Sequence, residues 1–381
     1  MSIRATTRQT AAFVIAIPLA LATTAATAPS LDVSTQFAIT RLLGEQTIPY
    51  GTKLEDTDVG SLSGLDFDPA TGTWYFLADD HWSKQAPRFY TGSLTIDPQA
   101  EAFTGVKLTK HTWLKQHDGS DYPKYGEKES PDPESIRYDP ATKRLLWASE
   151  AHQPSAHNPN ALSQPAVHWM TPDGKEDLNG KPVIPGNLLL GTGNTKGTPS
   201  NGGFEALTLT PTGIAAMIEH PAYQDGVINE KQGGPLRLTI WKRDGTAKAQ
   251  YAYPAEKQPT DKPGDGDSGV SEILAIDDTR FLALERSYTK STKNFRNRLY
   301  EFDITGADDI LKRDGLSTGG AYKPVTKRLV HVFDVNENLE ALAFGPKLNS
   351  GECTLIVGAD NNFREEQRSL FLAYAATGCA S

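Results

Sequence analysis

Ser63-Gly64-Leu65-Asp66-Phe67-Asp68-Pro69 has four counterparts further along the chain. They are Glu134-Ser135-Ile136-Arg137-Tyr138-Asp139-Pro140, Glu205-Ala206-Leu207-Thr208-Leu209-Thr210-Pro211, Glu272-Ile273-Leu274-Ala275-Ile276-Asp277-Asp278 and Glu340-Ala341-Leu342-Ala343-Phe344-Gly345-Pro346. Their first residues lie 71, 71, 67 and 68 positions apart. A fixed spacing of this size marks a repeat architecture. Each segment is followed by a turn and a second apolar run: Trp74 to Ala78, Leu145 to Ala148, Ile214 to Ile218, Phe281 to Leu284 and Leu355 to Gly358.

The third repeat reads furthest. Leu236 to Trp241 predicts a third strand, Asp244-Gly245 a turn, and Ala249 to Tyr253 a fourth strand. Four short strands per repeat, repeated radially, describe a β-propeller. The last repeat shows only three strand-like runs, and Gln36 to Leu43 precedes the first repeat as an orphan. The expected fold is therefore all-β: a single propeller of five four-stranded blades, closed by the N-terminal strand. A sixth blade stays open if Lys115 to Pro133 or Lys175 to Gly203 hides further strands. A two-sheet sandwich does not explain the equal spacings.

The first residues belong outside the propeller. Arg4 and Arg8 precede an apolar stretch from Ala11 to Ala22, broken by Pro18 and followed by small residues. That is the layout of a signal peptide, and it is too short to span a membrane. The expected division is a leader over residues 1–28 and a propeller domain over 29–381. Ala26-Thr27-Ala28 and Ala20-Leu21-Ala22 are alternative cleavage motifs. No later stretch is long enough to cross a membrane. The two cysteines, Cys353 and Cys379, suit an oxidising compartment and are expected to pair. An exported protein, periplasmic or secreted, follows. The formal charge of −9, two units more negative without Arg4 and Arg8, argues against a nucleic-acid partner. Oligomeric state is left open.

Acids recur at two places in the repeat. Glu134, Glu205, Glu272 and Glu340 open four of the five inner segments, and Asp80, Glu150, Glu219, Glu285 and Asp360 end the second runs. The start of one strand and the end of its antiparallel neighbour share a sheet edge. All nine carboxylates are thus expected around one mouth of the channel, as ligands of a hard cation, above all calcium. Glu205 and Glu272 are the candidate catalytic groups. His81, His152, His220, Arg286, Asn361, Asn362 and Arg364 follow the second runs and are candidate contacts for a small anionic or ester substrate. Nucleophile-elbow, Walker and dinucleotide motifs are absent.

The pieces Leu62-Ser63-Gly64-Leu65, Asp132-Pro133-Glu134-Ser135-Ile136, Asn201-Gly202-Gly203-Phe204-Glu205-Ala206-Leu207, Val270-Ser271-Glu272-Ile273-Leu274, Leu284-Glu285-Arg286, Asn338-Leu339-Glu340-Ala341-Leu342 and Asp360-Asn361-Asn362-Phe363 occur in this order. Together they resemble the phytase-like family with esterase-like activity, from about Leu62 to Tyr374. Ser135, Ala206 and Ala341 stand where that family has Gly. The resemblance implies an exported propeller that hydrolyses an ester, including phosphate esters. By analogy with alkaline propeller phytases, it implies calcium held by channel carboxylates. A calcium-dependent phosphoric ester hydrolase is the leading expectation. A non-catalytic binding protein with a structural metal ring and a carboxylesterase or lactonase are the alternatives.

Overall fold

The computed structural model describes Met1 and residues 36–97, 99–155, 162–318 and 320–379. Residues 1–28, read as a leader, therefore lie outside the described residues apart from Met1. From Phe37 onward the chain forms five four-stranded antiparallel blades of a β-propeller. Among the described residues there is no α-helix and no helix that could cross a membrane.

Blade 1 runs Leu62–Asp68, Thr73–Ala78, Arg88–Asp97 and Ala102–Trp113 from the channel outward. Blade 2 runs Pro133–Asp139, Arg144–Ser149, Ala166–Met170 and Glu176–Asp177. Blade 3 comprises Phe204–Leu209, Gly213–Ile218, Gly234–Lys242 and Ala247–Ala255. Blade 4 comprises Gly266–Ala275, Arg280–Thr289, Asn294–Asp303 and Thr326–Phe333. Blade 5 is Asn338–Phe344, Cys353–Asp360 and Ser369–Thr377, with Ala38–Ile48 as its outermost strand. The N-terminal strand thus closes the ring, running five residues beyond its expected end at Leu43. The segments suspected of hiding a sixth blade supply loops and the short outer strand Glu176–Asp177 instead.

Local chemistry explains the repeat. At the end of the first inner strand, Asp68 accepts the Ala70 N–H (2.9 Å) and the Thr71 hydroxyl (2.7 Å). Asp139 does the same with Ala141 (3.3 Å) and Thr142 (2.7 Å). Such Asx turns reverse the chain into the second strand. The second strands of blades 1, 2, 3 and 5 are buried along nearly their whole length, because each blade packs a neighbour on both faces. Trp74, Trp147, Trp169 and Trp241 fill the spaces between blades.

The channel is plugged. Arg137 of blade 2 lies 2.8 Å from Glu272 of blade 4, and both are fully buried. Arg137 also donates to the carbonyls of Leu65 (2.7 Å) and Ile273 (3.0 Å). Glu272 accepts the Ser135 hydroxyl (2.7 Å) and the Leu207 N–H (3.0 Å). One ion pair therefore ties four blades together across the axis.

Cys353 and Cys379 form the expected disulfide, at a sequence separation of 26. It clasps the inner side of blade 5 to the chain end. In the chain-entropy account, a loop of this size stabilises by roughly 3–4 kcal/mol. Replacing both cysteines with serine should lower the denaturant midpoint accordingly, and an unchanged midpoint would contradict the clasp. Closure by the first strand makes a stronger demand, since an open blade 5 exposes strand edges. A chain starting at Pro49 should lose the cooperative melting seen for one starting at Gln36. Equal melting curves would show that closure is dispensable.

Candidate functional site

Every inner strand carries a β-bulge at the same place. The register skips Ser63, Glu205, Ser271 and Glu340, and it skips Glu134-Ser135 in blade 2. A bulge re-aims the extra side chain, here toward the mouth. The equivalent bulge residues are therefore Ser63, Glu134, Glu205, Ser271 and Glu340. Ser63 donates to the Glu134 carbonyl (2.7 Å), and Ser271 donates to the Leu339 carbonyl (2.9 Å). Those two blades spend the position on a staple to the next blade.

The ends of the second strands follow the same register. Asp79 N bonds Ser61 O, Glu150 N bonds Asp132 O, and Glu219 N bonds Gly203 O. Arg286 pairs with Gly269, and Asp360 pairs with Asn338. The equivalent set is Asp79, Glu150, Glu219, Arg286 and Asp360. Tight approach between blades goes with this: a Cβ on Gly269 would lie 2.5 Å from Glu219 Cγ.

The structure therefore differs from the nine-acid expectation at three positions, each by one residue. Asp80 faces into blade 1, fully buried, 2.7 Å from Arg88, and it accepts the N–H groups of Lys84 and Gln85. Its neighbour Asp79 is the mouth residue. Glu272 sits one position past the bulge and belongs to the plug. Glu285 turns between blades 3 and 4, where Tyr253 (2.8 Å) and Lys327 (2.5 Å) donate to it. Arg286 takes its place at the mouth.

The mouth divides into two halves. Around blades 1 and 2, one ligand atom from each of Asp79, His81 and Asp132 lies within 4.8 Å of the others, and the same holds for Asp132, Glu134 and Glu150. Asp132 lies between two imidazoles, with His81 Nδ1 at 2.7 Å and His152 Nε2 at 3.0 Å. Burial pushes the Asp132 carboxyl up, but the two histidines outweigh it and hold it below the usual carboxylate range. Around blades 3 to 5, Arg286 contacts Glu219, lies 2.5 Å from Glu340 and 3.8 Å from Glu205, and donates to Asn338 (2.6 Å).

Burial, then repulsion from neighbouring acids, raises most of these carboxyls. Asp79 is pushed well up by burial and by Asp132 and Asp360, and Glu134 by burial and by Asp79 and Glu205. Glu150 and Glu205 follow, through burial and the nearby Glu219. Burial raises Asp360 too, and it carries Glu340 up to about 8 against the pull of Arg286. At the mouth, two buried oxygens, Asp79 Oδ1 and Glu205 Oε2, have no hydrogen-bond partner among the described residues. Clustered carboxylate oxygens, two of them bare, fit a hard divalent cation.

A pocket of about 310 Å³ opens beside Arg286. Glu219, Asp267, Asn362 and Arg364 line it, with the rings of Tyr288 and Phe295, tilted at 39° with centroids 4.7 Å apart, on one wall. Arg364 is exposed and makes no ion pair among the described residues. His220 lies 3.0 Å from Asp267 and 3.4 Å from Glu219. Asn361 has a structural place instead, since it accepts the N–H groups of Ser61 (2.9 Å) and Phe363 (3.2 Å).

The sequence profile of the phytase-like family, described as esterase-like activity of phytase, matches residues 57–363. The chain belongs to this family. Three solved structures similar to the phytase-like chain are an endo-arabinase from Bacteroides thetaiotaomicron VPI-5482, PhoX from Pseudomonas fluorescens and a glucose dehydrogenase. The endo-arabinase is 12% identical over 86% of this chain and 96% of its own, at a TM-score of 0.45. PhoX, in complex with vanadate, a transition-state analogue, is 9% identical over 91% and 98%, at 0.39. The glucose dehydrogenase is 16% identical over 83% and 82%, at 0.35. No curated protein sequence matches the chain.

The raised carboxyls fix a pH dependence. A group whose folded-state pKa exceeds its unfolded value stabilises fully below the unfolded pKa and loses that stabilisation as pH rises through the folded one. Glu340 at about 8 and the plug residue Glu272, pushed by burial up to about 7, have this sign. His220 has it too: its acidic neighbours outweigh burial and bring it up to about 9. In chelator, the melting temperature should therefore fall between pH 5 and pH 8. Calcium should flatten the fall by replacing protons at the mouth. A melting temperature that rises with pH in chelator would refute the assignment.

Proposed function

We propose that this phytase-like protein is an exported, calcium-dependent hydrolase of phosphate esters. The observation that carries the reading is the adjacency of two features at one mouth. One is a cluster of buried carboxylates with bare oxygens, and the other is a pocket walled by two arginines. Asp79, Asp132, Glu134 and Glu150 would hold the cation, with His81 and His152 orienting Asp132. When bound, the cation supplies Lewis-acid polarisation of an oxygen ligand and offsets the anionic charge of the phosphoryl group.

The remaining steps belong to the chain. Arg364, exposed at the pocket and without an ion pair among the described residues, receives the phosphate group, and Arg286 offsets the nearby Glu219 and Glu340 that would otherwise repel it. Glu205 in its ionised form is the general base: burial and the neighbouring acids raise its basicity, and its Oε2, which has no hydrogen-bond partner among the described residues, accepts the proton of an attacking water. The acidic protein is routed out of the cytoplasm by its leader over residues 1–28. The disulfide suits that compartment.

Release of inorganic phosphate from a panel of monoesters, with calcium and with chelator, tests this. Calcium should be required. Glu205→Gln should lower kcat on the order of a hundredfold or more, the usual scale for general base catalysis. Glu134→Gln should instead shift the calcium requirement to higher concentration. Arg364→Ala should raise KM more than it lowers kcat. Hydrolysis of carboxylic esters but not phosphate esters would replace this reading with a carboxylesterase. No turnover of either class, together with calcium-dependent melting, would leave a binding protein with a structural metal ring.

A further inference from the structure

A second hollow of about 260 Å³ lies against the mouth pocket, and Asp267 and Ser268 bound both. Its character is different. Pro199, Pro221, Tyr223, Val227 and Ile228 are half of its lining residues. Val227 is 55% exposed, a large apolar side chain left in water at the edge of a polar site. His220 stands on the boundary, 3.0 Å from Asp267 on the shared wall and 3.4 Å from the mouth residue Glu219. Nothing in the chemistry assigned to the mouth uses these carbon surfaces.

The charges around the mouth pocket limit what enters it. Arg286 is already engaged by Glu219 and Glu340, so Arg364 is the one lining cation without an ion pair among the described residues. Glu219 and Asp267 line the same pocket. One phosphate group is matched there. A second phosphate on the same molecule would meet those acids, or else the apolar hollow, where His220 is already held by Glu219 and Asp267 and desolvating the phosphate is costly.

We propose that the hollow is the leaving-group subsite, and that the substrates are phosphate monoesters of apolar alcohols or phenols rather than polyphosphorylated molecules. The phosphate lies by Arg364 and Arg286, the ester oxygen passes the Asp267–Ser268 wall, and the organic group packs on Pro221, Tyr223, Val227 and Ile228. This rests on the phosphate-ester reading above, and the test separates the two.

Calorimetry on the calcium-loaded protein compares hexylphosphonate with methylphosphonate, neither of which can be hydrolysed. The hexyl compound should bind at least tenfold tighter, as expected for methylene groups entering an apolar site. Val227→Asp and Ile228→Ser should collapse that preference. Val227 is exposed, so its replacement does not threaten folding. Turnover gives the second arm: hexyl phosphate should exceed glycerol phosphate in kcat/KM by a similar factor, with the advantage in KM. Equal affinities for the two phosphonates would overturn the subsite. So would an unchanged preference in both variants, or displacement of hexylphosphonate by a lower concentration of inositol hexakisphosphate. A hexyl preference in binding with no turnover of any phosphate ester would support the subsite while refuting the hydrolase.

Discussion

Burial of like charge at one end of the channel is the constraint on which the rest depends. The bulge of each inner strand and the end of each second strand bring ten side chains to a single mouth, and seven of the ten are acids. Two carboxylates about 4 Å apart repel by roughly 4 kcal/mol at an effective dielectric near 20. No propeller keeps such a set without offsets, and three are visible. Arg286 replaces one acid, two histidines flank Asp132, and several carboxyls hold their protons to unusually high pH. Each offset is partial, and the bare oxygens of Asp79 and Glu205 mark where it falls short.

The repulsion cannot be relieved by spreading the blades, because the plug beneath the mouth forbids it. Arg137 and Glu272 draw hydrogen bonds from blades 1 to 4 onto one buried ion pair. Removing either partner would strand a buried charge, which is far more costly than losing both. Ser63 and Ser271 add lateral staples at the bulges. Blade 5 is held differently, by the N-terminal strand on its outer edge and by the disulfide. A rigid floor under a charged rim preorganises ligand oxygens rather than letting them collapse.

Architecture was legible in the sequence because it rests on spacing and apolar runs, which repeat five times. Blade number, strand order and ring closure follow from that signal, whereas the cysteine pair followed from the expected oxidising compartment. The site was legible only to within one residue, because a β-bulge shifts side-chain phase without changing composition. In blade 4 the acids Glu272 and Glu285 occupy places one residue after and one before the equivalent mouth positions, which belong to Ser271 and Arg286. In blade 1 the adjacent acids Asp79 and Asp80 are indistinguishable until the Ser61–Asp79 hydrogen bond sets the register. A cue was present. Small residues follow the bulge in blades 1, 2, 3 and 5, as Gly64, Ser135, Ala206 and Ala341, so aligning Ser271 with Glu205 would have left Glu272 as the exception. Asp132 gave no repeat signal at all, since its role comes from His81 and His152 meeting it in space.

The position of Arg286 gives the mouth a direction. Among the described residues, Asp79, Asp132, Glu134 and Glu150 have no lysine or arginine partner; imidazoles approach Asp79 and Asp132, and the Gly203 N–H donates to Glu150. Glu205, Glu219 and Glu340 all lie within 4 Å of Arg286. A cation entering the ring gains most where the acids are uncompensated, over blades 1 and 2. An anion is repelled least where the guanidinium already neutralises them, over blades 3 to 5. A fivefold scaffold with acids at every mouth position would bind cations all round and offer an anion no approach. Ser63 and Ser271 thin the acids, Arg286 reverses the charge at one position, and the pocket beside blade 4 is where that reversal leaves room.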